Sequence, residues 1–387
     1  MAGAWGHHNP VAIRFGRGCR SEIKALLKRR RCLIVTSARG RRQLESDPLL
    51  GGSVTGAGLL WMDSVQANPD QQALQERIDD LAGAEVESVI AFGGGSAIDS
   101  AKALALALGP DGRGRTLDAL IGAASGLPLG ASLPLHALPT TAGTGSEVTP
   151  YATVWDHAER RKRSLAGPAV YPRTAYVDPE LTDGLPREVT RSTGLDAVNQ
   201  AAESIWNRGM TPVSEALAQR ALVAGVEALP RLMAKPGDRA ARDAMAEASL
   251  LAGLAISQTR TALCHAISYP LTAHFGIPHG LACAFTMPAV LRHNLVADDG
   301  RFRRLAALLA PGGEGDTEGL LQRFDALNHQ LDVSGQVRAA VGELEALLDL
   351  RDEMFTPGRA DNGIAAVDHE AVQRILEQAW EAGRDVR

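Results

Sequence analysis

The stretch VESVIAFGGGSAIDSAKALALAL, from Val86 to Leu108, decides the fold. Val86 to Phe92 reads as a short apolar run of the kind that a strand buried on both faces requires. Gly93 to Ser96 follow at once, and then Ala, Ile and Leu recur at helical spacing. A strand that turns through glycines straight into a helix lets backbone amides approach an anion, and the helix N-terminus adds its partial positive charge. A tight turn without a ligand would carry the same residues, so both readings stand on this segment alone.

Upstream, RRCLIVTSARG carries a second buried run at Cys32 to Thr36, and weaker runs lie at Ser132 to Leu138 and Ala175 to Val177. Strands alternating with helical patterns predict an α/β region over residues 1–186, a Rossmann-like parallel sheet with helices on both faces. Past Pro186 the β-branched runs vanish. Segments such as SEALAQRALVAGVEALPRLM (Ser214 to Met233) and RDAMAEASLLAGLAISQTR (Arg242 to Arg260) take over, so residues 187–387 are expected to form an all-helical domain. Loops are expected at Pro311 to Gly319 and Thr356 to Gly363.

The chain has 387 residues, 45% of them hydrophobic and 22% charged, which excludes disorder and suffices for one large or two ordinary domains. Forty Lys plus Arg against 45 Asp plus Glu give a net charge of -5 with both signs dispersed, so nucleic acid is not an expected partner. Apolar stretches such as Ala103 to Leu108 fall short of the roughly 20 residues that span a bilayer. The start MAGAWGHHNP has no charged-then-apolar signal pattern, so a soluble protein without a membrane partner is expected. Cys19, Cys32, Cys264 and Cys283 include no CxxC pair and read as reduced thiols of a cytoplasmic protein.

Two further segments carry chemistry. Pro139 to Glu147, PTTAGTGSE, concentrates hydroxyls and glycines in a way that suits a loop wrapped around a cofactor, although a solvated linker has the same composition. Asp196 and Gln200 lie four apart and share a helix face, with Glu203 one turn on. Further along, His265 and His279 bracket a helix fragment, Pro270, and a loop ending at Pro278. One carboxylate, one amide oxygen and two imidazoles could close on Fe(II) or Zn(II). The ordinary alternatives are a helix cap for the aspartate and satisfied polar groups for the histidines.

GGGSAIDSAK (Gly93 to Lys102), LPTTAGTGSEVTPYATV (Leu138 to Val154), VDPELTDGLP (Val177 to Pro186), TGLDAVNQAAES (Thr193 to Ser204) and HAISYPLTAHFGIPHGLACAFTMP (His265 to Pro288) occur in one order and spacing. In that arrangement they resemble the iron-containing, group III alcohol dehydrogenase family, with the match weakest after about Asn294. The resemblance implies a dehydroquinate synthase-like architecture: an N-terminal dinucleotide-binding domain, an all-helical metal-binding domain, and a cleft between them. It implies a metal held by Asp196, Gln200, His265 and His279, and a cofactor, NADPH or NADH, bound by Ser37, Arg39, Gly94, Gly95, Ser96, Asp99, Thr140, Thr141, Thr144 and Ser146. The family's habit implies at least a homodimer. Ala266 to Thr272, the HFGIPHGLACAF run and ESIWN (Glu203 to Asn207) are most similar to the phosphonoacetaldehyde reductase subgroup. That similarity implies reduction of a small anionic aldehyde, phosphonoacetaldehyde, to 2-hydroxyethylphosphonate, with the metal polarising the aldehyde oxygen.

The chain departs from the family pattern at several positions. Gln200 stands where members usually carry a histidine, and an amide oxygen is a poorer donor to Fe(II) or Zn(II). Tyr269 replaces a second histidine near the nicotinamide, where it or the cofactor ribose could relay a proton, and Thr272 replaces a glycine of the pocket wall. Ser37, with Arg39 two residues on, stands where NAD-preferring relatives have a ribose-binding Asp, a change that admits NADPH. Arg260 and Lys162 are the cations expected to meet the substrate's anionic group, ordinary ion pairs being the other reading. Three alternatives compete: another small or sugar-derived aldehyde, a non-redox reaction like that of dehydroquinate synthases, or a cofactor-binding protein with little activity.

Overall fold

The computed structural model describes residues 4–28, 31–55, 59–159, 161–309, 316–355 and 358–382. The chain forms two compact units, one of Asn9–Gly184 and one of Leu185–Arg387 joined by the N-terminal residues through His8.

The first unit is built on a parallel sheet of six strands, β1 (Ala12–Phe15), β2 (Cys32–Val35), β3 (Leu60–Met62), β4 (Ser88–Gly93), β5 (Leu135–Pro139) and β8 (Thr174–Val177). Their order across the sheet is β1-β8-β5-β4-β2-β3. Both faces of the central strands are covered, which explains the continuous apolar runs. Leu33, Val35, Val89, Ala91 and Ala137 point into one core, and Cys32, Ile34, Ile90, Phe92 and Leu138 into the other. An antiparallel hairpin of β6 (Tyr151–Asp156) and β7 (Arg161–Ala166) was not anticipated, nor were β1 and β3. β1 and β3 are short edge strands: β1 is largely exposed, and β3, though apolar throughout, is only three residues long.

The second unit is helical, its longest elements being Arg187–Ile205, Pro212–Ala234, Arg239–Thr259 and His279–Leu295. The helix Arg187–Ile205 packs against the other three. Two expectations change here. Pro270 does not break the chain direction, because Leu263–Phe275 is one helix with the proline inside it. The loop expected through Gly319 ends earlier, since Thr317–Gln330 is helical. Residues 311–315 of that loop, and residues 356–357 of the other, lie outside the described residues. Among the described residues no helix is long and apolar enough to cross a membrane.

Candidate active site

In the sheet-bearing unit the glycine turn and the Thr-rich loop leave the C-terminal ends of neighbouring strands, since Gly93 of β4 lies opposite Pro139 of β5. Ligands of open parallel sheets gather at this edge. The helix Gly95–Ala107 starts there with no side chain capping it and no acidic residue in its first turn. Its first amide donors therefore remain available to an anion. The glycines also answer to packing. A Cβ on Gly95 would come within 2.6 Å of Thr144 Cγ2, and one on Gly94 within 3.1 Å of Thr141 Oγ1. The N–H of Thr140 donates to the carbonyl of Gly93 at 3.0 Å, joining the two loops.

Asp99 is committed to that junction. Its Oδ1 accepts from Ser146 Oγ at 2.6 Å and its Oδ2 from the Thr153 amide at 2.8 Å. Burial raises its pKa, while Lys102, Ser146 and Lys162 pull the other way. Lys162, on β7, thus stands within electrostatic reach of Asp99. Ser37 Oγ accepts from the Gly40 amide at 3.1 Å and caps the helix Ala38–Glu45. Arg39 is exposed. The cation anchored at this corner is Arg41, which stacks 4.6 Å above the Trp61 ring and reaches Asp63 at 2.8 Å.

In the helical unit, Asp196, His265, His279 and Cys283 each offer one donor atom, all within 4.8 Å of one another. Asp196 Oδ1 lies 3.4 Å from His265 Nε2 and 4.0 Å from His279 Nε2. Gln200 is next to them, its Nε2 donating to Asp196 Oδ1 at 3.0 Å. Both imidazoles are oriented from behind. His265 Nδ1 is 2.7 Å from Glu203 Oε2, so the ring's Nε2 faces the cluster. Ser268 Oγ donates to the His265 carbonyl at 2.8 Å and lies 3.3 Å from His279 Nδ1. The single hydroxyl proton is already placed, so Ser268 offers a lone pair to Nδ1–H, and the His279 Nε2 is the nitrogen on the side of the cluster. The set fits a divalent ion by its chemistry: a carboxylate and two imidazoles with second partners, plus a thiol.

These donors are coupled. Burial opposes protonation of His265, but Cys283, Glu203 and Asp196 outweigh it and hold its pKa well above the usual value. Burial likewise opposes ionisation of Cys283, yet the imidazoles of His265 and His279 bring its thiol down to about 7. His279 is the one of these four donors with substantial exposure, 34% of its side chain.

Tyr269 stacks on His279 with ring centroids 5.7 Å apart and planes within 5°. On its ring rests the guanidinium of Arg359, 4.9 Å from the centroid. Arg260 is exposed and ends the helix Arg239–Thr259 at φ 65°, ψ 175°, a conformation that disfavours a side-chain-bearing residue. Asn362 Nδ2 donates to the Thr261 carbonyl at 2.8 Å, so the segments carrying the two arginines are joined. Thr272 ties the backbone together, its hydroxyl donating to the Ile277 carbonyl at 3.0 Å across the turn between the two histidine helices. Sequence reasoning missed Cys283, Ser268 and Arg359. Only Cys283 was signalled, by its position four residues after His279 at the start of a helix.

The family profile described as iron-containing alcohol dehydrogenase matches residues 10–179, and that of the Fe-containing alcohol dehydrogenase family, C-terminal, matches residues 190–380. A phosphonoacetaldehyde reductase of Streptomyces viridochromogenes is 40% identical over 257 residues, 63% of this chain and 65% of that protein. A sulfoacetaldehyde reductase of Bilophila wadsworthia is 30% identical over 372 residues, 94% of each chain. The crystal structure of a sulfoacetaldehyde reductase from Bifidobacterium kashiwanohense in complex with NAD+ is 29% identical, with a TM-score of 0.86 over 99% of this chain and 100% of that one. With both units matched and the donor cluster in place, the chain belongs to the iron-containing alcohol dehydrogenase family.

Proposed function

We propose that this NAD(P)-dependent aldehyde reductase acts on a two-carbon aldehyde with a tetrahedral anionic head group, phosphonoacetaldehyde first, giving 2-hydroxyethylphosphonate. The observation that carries the reading is the stack of Arg359 on Tyr269 on His279, which puts a guanidinium one ring from a member of the donor cluster. Two relatives support it, since their names specify phosphono- and sulfoacetaldehyde.

In this reading Asp196, His265 and His279 hold the metal, with Glu203 and Ser268 fixing the imidazoles. A bound divalent ion polarises a carbonyl oxygen, and a reduced nicotinamide supplies hydride. The amides that open the helix Gly95–Ala107 and the Thr140 to Ser146 loop cradle the dinucleotide's phosphates. Arg359, with Arg260 on the adjoining segment, orients the head group through planar, charge-assisted hydrogen bonds. The balance is aldehyde plus NAD(P)H plus a proton giving alcohol plus NAD(P)+.

The test is kcat/KM for phosphonoacetaldehyde, sulfoacetaldehyde and propanal with saturating NADPH and NADH. The anionic aldehydes should exceed propanal by about 100-fold, the worth of one to two charge-assisted contacts. A preference for propanal overturns the assignment.

A further inference from the structure

Resting on the reading that this chain loads a divalent metal, we propose that Cys283 rather than Gln200 completes the protein's donor set, and that the resulting Asp/His/His/thiolate site, which a substrate oxygen joins as a fifth ligand, favours Zn(II) over Fe(II).

Cys283 lies one turn beyond His279 on the helix His279–Leu295, so both side chains leave the same face. Its Sγ is 3.8 Å from His279 Nε2 and joins the group whose donor atoms lie within 4.8 Å of each other. A tetrahedral zinc site, with bonds of about 2.0 Å to nitrogen or oxygen and about 2.3 Å to sulfur, separates its donors by about 3.3–3.6 Å. Three of the six separations here, 3.4, 3.8 and 4.0 Å, are close to that range, and all six lie within 4.8 Å, so the set closes on an ion by contraction. Gln200 presents its Nε2 to Asp196 Oδ1, so its amide acts as a hydrogen-bond donor that steadies the carboxylate. A thiolate is a softer and stronger donor than an amide oxygen, and softness favours zinc. Cys264, the neighbouring buried cysteine, is not in the group of donor atoms that gather here.

The full chain, stripped of metal and reloaded with one equivalent of Co(II), reports the ligand directly. Thiolate-to-cobalt charge-transfer absorption is expected in the wild type and in Cys264→Ser, and is expected to vanish in Cys283→Ser. The Zn(II) dissociation constant of Cys283→Ser should rise at least about 10-fold, and Gln200→His added to that variant should restore affinity by supplying an imidazole. Protein from medium with equal iron and zinc should carry mostly zinc. Stoichiometric cobalt without the charge-transfer band, or the band persisting in Cys283→Ser, overturns the assignment of Cys283 and leaves the metal reading intact. Failure of the folded wild type to bind any metal overturns both.

Discussion

Glu203 binds His265 at two points and the helix start at a third: Oε2 lies 2.7 Å from the ring Nδ1, Oε1 accepts the backbone N–H of His265 at 3.1 Å, and Oε2 also takes the Ala262 amide at 2.7 Å. One buried carboxylate therefore caps the start of the helix Leu263–Phe275 and sets which nitrogen of the imidazole faces the metal donors. Such partners behind a ligand typically govern affinity by about 10- to 100-fold. Glu203→Gln should raise the metal dissociation constant by that factor while far-UV circular dichroism stays unchanged. Unchanged affinity would mean that the carboxylate caps the helix and nothing more.

Ser37 supplies the cap of the helix Ala38–Glu45, and Asp is as good an N-cap as Ser. Ser37→Asp should therefore leave the melting temperature unaltered while placing a negative charge where the adenosine ribose is expected. The ratio of kcat/KM for NADPH to that for NADH should fall by about 10-fold or more through repulsion of the 2'-phosphate. An unchanged ratio would place the ribose elsewhere.

Arg359 and Arg260 are separable by substrate charge. Arg359→Ala should raise KM for phosphonoacetaldehyde by about 10- to 100-fold, the loss of one charge-assisted contact, with propanal unaffected. Arg260→Ala should act in the same direction if its side chain also meets the head group. Equal losses for charged and neutral aldehydes would show that these arginines hold structure rather than substrate.

Gly280 lets two helices touch where the donors meet. A Cβ there would lie 1.9 Å from the Ser192 carbonyl oxygen and 2.9 Å from the Asp196 backbone nitrogen. Gly280→Ala should destabilise the protein by at least about 1–3 kcal/mol and lower metal content by driving His279 away from Asp196. Gly122→Ala is the control: it lies in the helix Leu117–Ala123 with open space around it and should be neutral or slightly stabilising. Thermal melts and metal analysis of the two variants make the comparison.

The sheet's centre and the two-part texture of the chain are written in local pattern, because β2, β4 and β5 are buried on both faces and must read as apolar runs. Asp196, His265 and His279 were candidates from residue type and ordered motifs, and the structure brings their donor atoms together. Their surroundings come from packing between elements distant in the chain. The 3.8 Å approach of Cys283 to His279 is local, spanning one helical turn, whereas the 2.7 Å contact of Glu203 with His265 joins residues 62 positions apart. Arg359 reaches Tyr269 from 90 positions away, and no periodicity along the chain records such a meeting. Local pattern encodes which face of an element is buried, whereas the partner met on that face is chosen by packing of the whole unit.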